Sequence, residues 1–122
     1  MKTLTRIELG MLGEQLAAAH LEALGLRVLE RNWRCRYGEL DIIAADDSLS
    51  TVIFVEVKTR STIACGYPVE AVTARKIARL RRLAGLWLAS APSGWATIRF
   101  DVIGVQMTGC GKPELRHLQA VC

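Results

Sequence analysis

The chain has 122 residues, a net charge of +4 and a hydrophobic fraction of 51%, with a mean hydropathy of +0.22 and a pI near 9.1. That length suits one domain with its own core, and no stretch approaches the ~20 apolar residues of a membrane span. The first eight residues lack the apolar centre of a secretion signal, which makes the cytoplasm the expected location, and the basic balance favours a polyanionic partner.

Leu9, Leu12, Leu16, Ala19 (or His20) and Leu24 recur at helical spacing. They predict a helix over 8–25 that ends at Gly25 and carries Glu14 near its middle. Residues 26–29 read as a short strand, and 31–34 as an extended or looping segment. Gly38 precedes a strand over 39–45, a hairpin loop at 46–50 leads into a strand over 51–60, and 61–70 reads as irregular. A second helix starts at Pro68 or at Thr73, which is a good N-cap, and runs to Ser90. Its apolar stripe is Ile77, Leu80, Leu83, Ala84, Leu86 and Leu88. A turn at 92–94, a strand over 96–105, a loop at 109–113 and a strand over 114–118 complete the order. This pattern predicts an α/β domain, a mixed β-sheet flanked by helices.

The run Ile53-Phe54-Val55-Glu56-Val57-Lys58 is the most informative. In a strand, period two puts Glu56 and Lys58 on one face. Asp41 lies in the preceding strand, so pairing across the hairpin brings it near Glu56. Two carboxylates and an ammonium suit both a hard divalent cation and a phosphodiester. Asp41 and Glu56 fit the role of ligands to Mg²⁺ (or Mn²⁺), and the Val57 carbonyl lies within reach of the same ion. Lys58 can orient the attacking water or offset charge on the phosphate. The bland alternative is an ion pair on an exposed sheet face.

The charge distribution points the same way. Arg31, Arg34 and Arg36 form one group with no acid between them. From Val57 to Phe100 there are eight basic residues against one acid, Glu70. Arg75, Lys76, Arg79 and Arg82 at the start of the second helix are the expected phosphate contacts, Thr59 and Arg60 are placed to touch the substrate backbone, and Arg34, Arg36 and Tyr37 suit a rim.

Gly13-Glu14, Arg31-Asn32, Gly38-Glu39-Leu40-Asp41-Ile42-Ile43, Phe54-Val55-Glu56-Val57-Lys58-Thr59-Arg60 and Arg99-Phe100-Asp101-Val102 occur in that order. Together they closely resemble the YraN-like family, small bacterial proteins similar to archaeal Holliday-junction resolvases. The wider group is the PD-(D/E)XK, restriction-endonuclease-like superfamily. The resemblance implies that fold, a catalytic signature of Asp41, Glu56 and Lys58, and a supplementary metal-site acid at Glu14. It also implies DNA as partner, with branched and junction structures among the substrates, and a homodimer. Leu40 stands where the superfamily signature often has proline. Three readings stay open: a metal-dependent endonuclease, a nucleic-acid-binding protein on a nuclease fold with little or no cleavage, or a protein-interaction module whose basic face meets an acidic partner.

Other residues carry weaker signals. Glu39, two before Asp41, shares its expected face as an accessory acid, a second ligand or simply a solvated carboxylate at the strand start. Asp101 interrupts an apolar strand and is expected to pair with Arg99 or Lys58 or to cap a neighbour, with a direct catalytic role as the alternative. Trp87 is expected in the core. His20 and His117 stand isolated. Cys35, Cys65, Cys110 and Cys122 show no ligand spacing, so neither zinc nor disulfides are expected.

Overall fold

The structure, a computed structural model, describes residues 4–61, 73–91, 94–107 and 112–121. The expectations for 62–70, for a helix start at Pro68, for Pro92-Ser93 and for 109–111 lie outside those residues, as do Cys65, Cys110 and Cys122. The described elements are α1 (Arg6–Ala23), β1 (Arg27–Cys35), β2 (Gly38–Asp46), β3 (Thr51–Arg60), α2 (Ala74–Ser90), β4 (Thr97–Gln106) and β5 (Glu114–Leu118).

The strands form one five-stranded sheet in the order β1-β2-β3-β4-β5. β1, β2 and β3 are an antiparallel meander. α2 then crosses over, so β4 pairs parallel with β3, and β5 returns antiparallel on the far edge. The result is a mixed α/β fold consistent with a restriction-endonuclease-like domain. β3 is central, and Thr51–Glu56 are buried on both faces, as expected for a strand covered on each side.

Each face has its own core. Ile53 and Val55 of β3, with Ile42 and Ala44 of β2, pack under Ala17, Ala18 and Leu21 of α1. Val52 and Phe54 pack under Leu80, Leu83, Ala84 and Trp87 of α2. Trp87 stands edge-on to Phe54, with ring centroids 5.7 Å apart. Trp33 and Trp95 pack partly buried against this second core.

α1 starts earlier than the leucine spacing suggests. Thr5 and Glu8 form a reciprocal capping box, with the Glu8 N–H donating to Thr5 Oγ1 at 3.1 Å and the Thr5 N–H to Glu8 Oε1 at 2.9 Å. At the other end Gly25 takes φ +87°, and the Leu26 N–H reaches back to the Leu21 carbonyl at 3.1 Å, a Schellman closure. The inward face also differs from the expected stripe. Gly13, Ala17, Ala18 and Leu21 are buried, whereas Leu24 is 52% exposed. Small side chains win because α1 lies close on the sheet. In α2, Leu86 likewise turns outward and Trp87 takes the inward place.

Gly13 marks the closest approach. A Cβ there would fall onto the Thr59 hydroxyl and within 2.8 Å of Thr59 Cβ. Helix propensity alone would make Gly13→Ala stabilising by about 0.5–1 kcal/mol. The contact predicts the opposite sign, a loss of about 1–3 kcal/mol, because Thr59 is short and β-branched and has little room to yield. Urea unfolding of Gly13→Ala, alone and with Thr59→Ala, checks this. Partial recovery in the double variant is expected, and a more stable single variant would refute the close approach.

β1 runs on through 31–34, where a looping segment was one expectation. Its register shifts between Val28 and Glu30, and Arg31 pairs with Ile42 while Trp33 pairs with Leu40. Between those pairs Asn32 adopts φ +53°, a conformation that asparagine tolerates better than most residues. Across from it, β2 loses strict alternation: Leu40 faces the α2 core and Ile42 the α1 core. The break falls at Asp41.

Candidate functional site

The β2–β3 ladder ends at the pair Ile42–Val55. One residue further on, the Asp41 carboxylate takes the place of a backbone partner. Its Oδ2 accepts the Val57 N–H at 2.7 Å. The irregularity at Asn32 and Asp41 thus turns this side chain out of the β1–β2 pairing and against β3. Here Glu14 of α1, Glu39 and Asp41 of β2, Glu56, Val57 and Lys58 of β3, and Arg79 of α2 line one cleft of about 420 Å³. Both helices and the two diverging strands contribute to it. The residues of the expected signature meet as their spacing implied, and Glu14 joins them.

The electrostatics are unfavourable for the acids. Burial pushes the Asp41 carboxyl up, the Val57 N–H opposes this, and Glu14, Glu56 and Glu39 add to the rise, leaving it at about 6. Burial also raises Glu14, opposed by a hydrogen bond from the Asn32 side chain and by Arg31, while Glu39 adds to the rise. Glu56 is 8% exposed and is matched by Arg79, whose Nη2 lies 2.9 Å from Glu56 Oε1.

The basic residues divide into groups. Arg79 was expected on the phosphate track, yet it reaches into the cleft and pairs with Glu56. Arg34 pairs with Glu39 at 3.0 Å. Arg82 lies 4.1 Å over the Tyr37 ring, and Arg36 lies 5.3 Å from the same ring. Tyr37, on which they stack, directly precedes Gly38, which lines the cleft. Arg75 is exposed and Lys76 half-buried at the start of α2, where Thr73 Oγ1 accepts the Lys76 N–H at 3.2 Å. Arg60 is half-buried at the end of β3. Arg34 and Arg36 flank the turn before β2, as expected of a rim.

Two features escaped the sequence. Asn32 was visible only as part of a motif, and its work of holding Glu14 depends on a positive φ. His20 and His117 are not isolated: 97 positions apart, they meet with His20 Nε2 and His117 Nδ1 at 3.2 Å. His117 Nε2 in turn lies 2.7 Å from Asp101 Oδ2. Arg99 donates to both Asp101 oxygens, at 2.9 and 2.8 Å, and the Ala120 N–H donates to Oδ1 at 3.0 Å. Asp101 therefore pairs with Arg99, one of the partners anticipated, and holds β4, β5 and the segment after β5 together away from the cleft. Cys35 is a free, half-buried thiol.

Among the described residues, no three His, Cys, Asp or Glu side chains converge closely enough to hold a metal ion by themselves. No helix of the described residues is long and apolar enough to cross a membrane.

Fold and site together define a mixed α/β protein, consistent with a restriction-endonuclease-like domain, with an acid–lysine cleft. The sequence profile of the uncharacterised protein family UPF0102 matches residues 13–105, and the chain belongs to that family, the YraN-like group its motifs resemble. Similar proteins include the UPF0102 protein of Mycobacterium avium (strain 104), 62% identical over 119 residues, covering 98% of this chain and 93% of that one. The UPF0102 protein of Mycobacterium ulcerans (strain Agy99) is 59% identical over 121 residues, covering 99% of each chain. That of Mycolicibacterium smegmatis is 58% identical over 121 residues, covering 99% of this chain and 98% of that one.

Proposed function

We propose that the chain is a metal-dependent endonuclease that hydrolyses DNA phosphodiester bonds, branched structures included. One observation carries this reading: Asp41, Glu56 and Lys58, from two strands, line a single cleft with Glu14 and Arg79. The donor set suits Mg²⁺ or Mn²⁺. Mg²⁺ is commonly held by one or two carboxylates while it keeps several waters, so a closed protein cage is not required. Asp41 and Glu56 would supply the carboxylates, with the Val57 carbonyl and Glu14 completing the set. The bound ion would lower the pKa of a coordinated water and stabilise charge on the phosphate.

The protein's own groups have separable tasks. The Val57 N–H holds the Asp41 carboxylate in one orientation and leaves its second oxygen available. Arg79 neutralises Glu56 within the cleft and fixes its rotamer. Lys58 offers an ammonium that can hold the attacking water and offset negative charge on the phosphate. Arg36, Arg82 and Arg75 on the α2 side supply cations for the flanking phosphates.

The deciding experiment compares wild type, Lys58→Ala and Glu56→Ala on four-way-junction, flap and linear DNA with Mn²⁺. The wild type is expected to cleave, and each variant to lose roughly a hundredfold or more in rate. Equal products from all three would remove the signature from the active site.

One observation favours a binding-only protein on the same fold. Arg79 already occupies one oxygen of Glu56, and a metal must share that carboxylate with it. Calorimetry separates the readings: uptake of Mn²⁺ by wild type and none by Glu56→Ala supports the nuclease, whereas no uptake by wild type supports binding alone.

A further inference from the structure

A second groove adjoins the cleft on the α1 side. It measures about 490 Å³ and runs between Arg6, Ile7 and Met11 of α1 and Asn32 and Arg34 of β1. Glu14 and Glu39 line both spaces, so the groove and the cleft adjoin at these two acids. Its chemistry is different. Ile7 is 77% and Met11 64% exposed, one helical turn apart on the same side of α1. A single exposed apolar residue needs no explanation, but a pair inside a concave path to a buried acidic site does. Arg6 stands at the rim, and Asn32 presents an amide with both donor and acceptor capacity. The groove is of the size that takes a small organic ligand.

Resting on the nuclease reading, we propose that this groove is a subsite for one unpaired nucleotide. Its base lies against Ile7 and Met11 and its phosphate near Arg6, while the adjoining phosphodiester occupies the cleft. The occupant follows from continuity. A strand that places a phosphate beside Lys58 continues past the cleft, and the adjoining groove lies on the α1 side. On the other side, Arg36 and Arg82 stack on Tyr37, an arrangement suited to backbone charge. The α1 groove sets the exposed apolar faces of Ile7 and Met11 among polar neighbours such as Arg6 and Asn32, a lining that suits a base face beside a phosphate. A base in continuous duplex is stacked and paired and does not enter without an unstacking cost. A fork, flap or junction with an unpaired base avoids that cost, so the groove selects discontinuous DNA over uninterrupted duplex.

The test is a binding titration in Ca²⁺, which separates recognition from cleavage. The probe is a forked oligonucleotide with 2-aminopurine at the first unpaired position, compared with the same sequence fully paired. The proteins are wild type, the double variant Ile7→Ala/Met11→Ala, and Leu49→Ala, which trims a residue of similar exposure (63%) on the loop between β2 and β3. Wild type and Leu49→Ala are expected to bind the fork about tenfold more tightly than the duplex and to change the 2-aminopurine emission. The double variant is expected to bind both DNAs like duplex, with its melting temperature unchanged. An undiminished fork preference in the double variant, or equal wild-type affinity for fork and duplex, would overturn the subsite. Because no cleavage is read, an inactive signature would sink the nuclease reading and leave this result standing.

Discussion

Asp41→Asn is expected to make the metal-free protein more stable at pH 8, by about 3 kcal/mol. The carboxyl sits at about 6 in the folded chain against an ordinary 3.8. The folded state therefore holds this proton more tightly than the unfolded chain does. Below about pH 4 both states are neutral here and the group costs nothing. As pH rises through about 6 the folded state loses stability, and above that the penalty is complete. Asparagine removes the charge and keeps an oxygen for the Val57 N–H, so its gain should be absent at pH 4, grow towards pH 6 and then level off. Thermal melting across that range checks the shape. Millimolar Mn²⁺ should reverse the order, because it stabilises wild type by mass action above pH 6 and leaves the asparagine variant unmoved. Identical melting profiles with and without Mn²⁺ in both proteins would count against Asp41 as a ligand. Such a stability gain on removing a charge is expected where a site holds acids together for use rather than for folding.

Asp101→Ala is expected to cost about 3–5 kcal/mol in urea unfolding, a large share of the stability of a domain this size. Asp101 is fully buried. Burial raises its carboxyl, but hydrogen bonds from His117, Arg99 and the Ala120 N–H outweigh that and leave it below the usual carboxylate range. Removing it strands the Arg99 guanidinium, which is 21% exposed at its side chain, and unties His117 from β4. The sign with pH is opposite to that at Asp41. The contribution is present above about pH 4 and is lost as pH falls through the lower folded value. Acid unfolding of the alanine variant should therefore be shallower than that of wild type. A loss under about 1 kcal/mol would show that the network is dispensable.

The two acids illustrate how unequally the chain could be read in advance. Asp41, Glu56 and Lys58 were legible because they break apolar strand runs, and a hairpin loop between the runs dictates that they meet. Asp101 breaks an apolar run in the same way and serves a structural purpose instead. Nothing local distinguishes the two. The difference lies in what surrounds each carboxylate: three further acidic side chains around one, and an arginine, a histidine and a backbone amide around the other. Arg79 shows the same limit. Its place among arginines and lysines on α2 suggested a phosphate contact, yet the crossover from β3 to β4 lays α2 against the sheet with Arg79 over Glu56.

The strands at 39–45, 51–60 and 114–118, the N-cap at Thr73 and the inward Trp87 follow from alternation, capping chemistry and apolar periodicity, all of which are short-range properties of the chain. Leucine spacing misplaced the inner face of α1, because the depth of a helix on a sheet depends on the residues beneath it, and Thr59 admits only a glycine at position 13. The left-handed turn at Asn32, the loss of alternation at Asp41 and the meeting of His20 with His117 required the folded chain. Each depends on groups far apart in sequence that cross-strand pairing and helix packing bring into contact. Residue spacing carries the chemistry available to a strand or a helix; long-range packing selects which of those groups become neighbours, and neighbours set charge, burial and orientation.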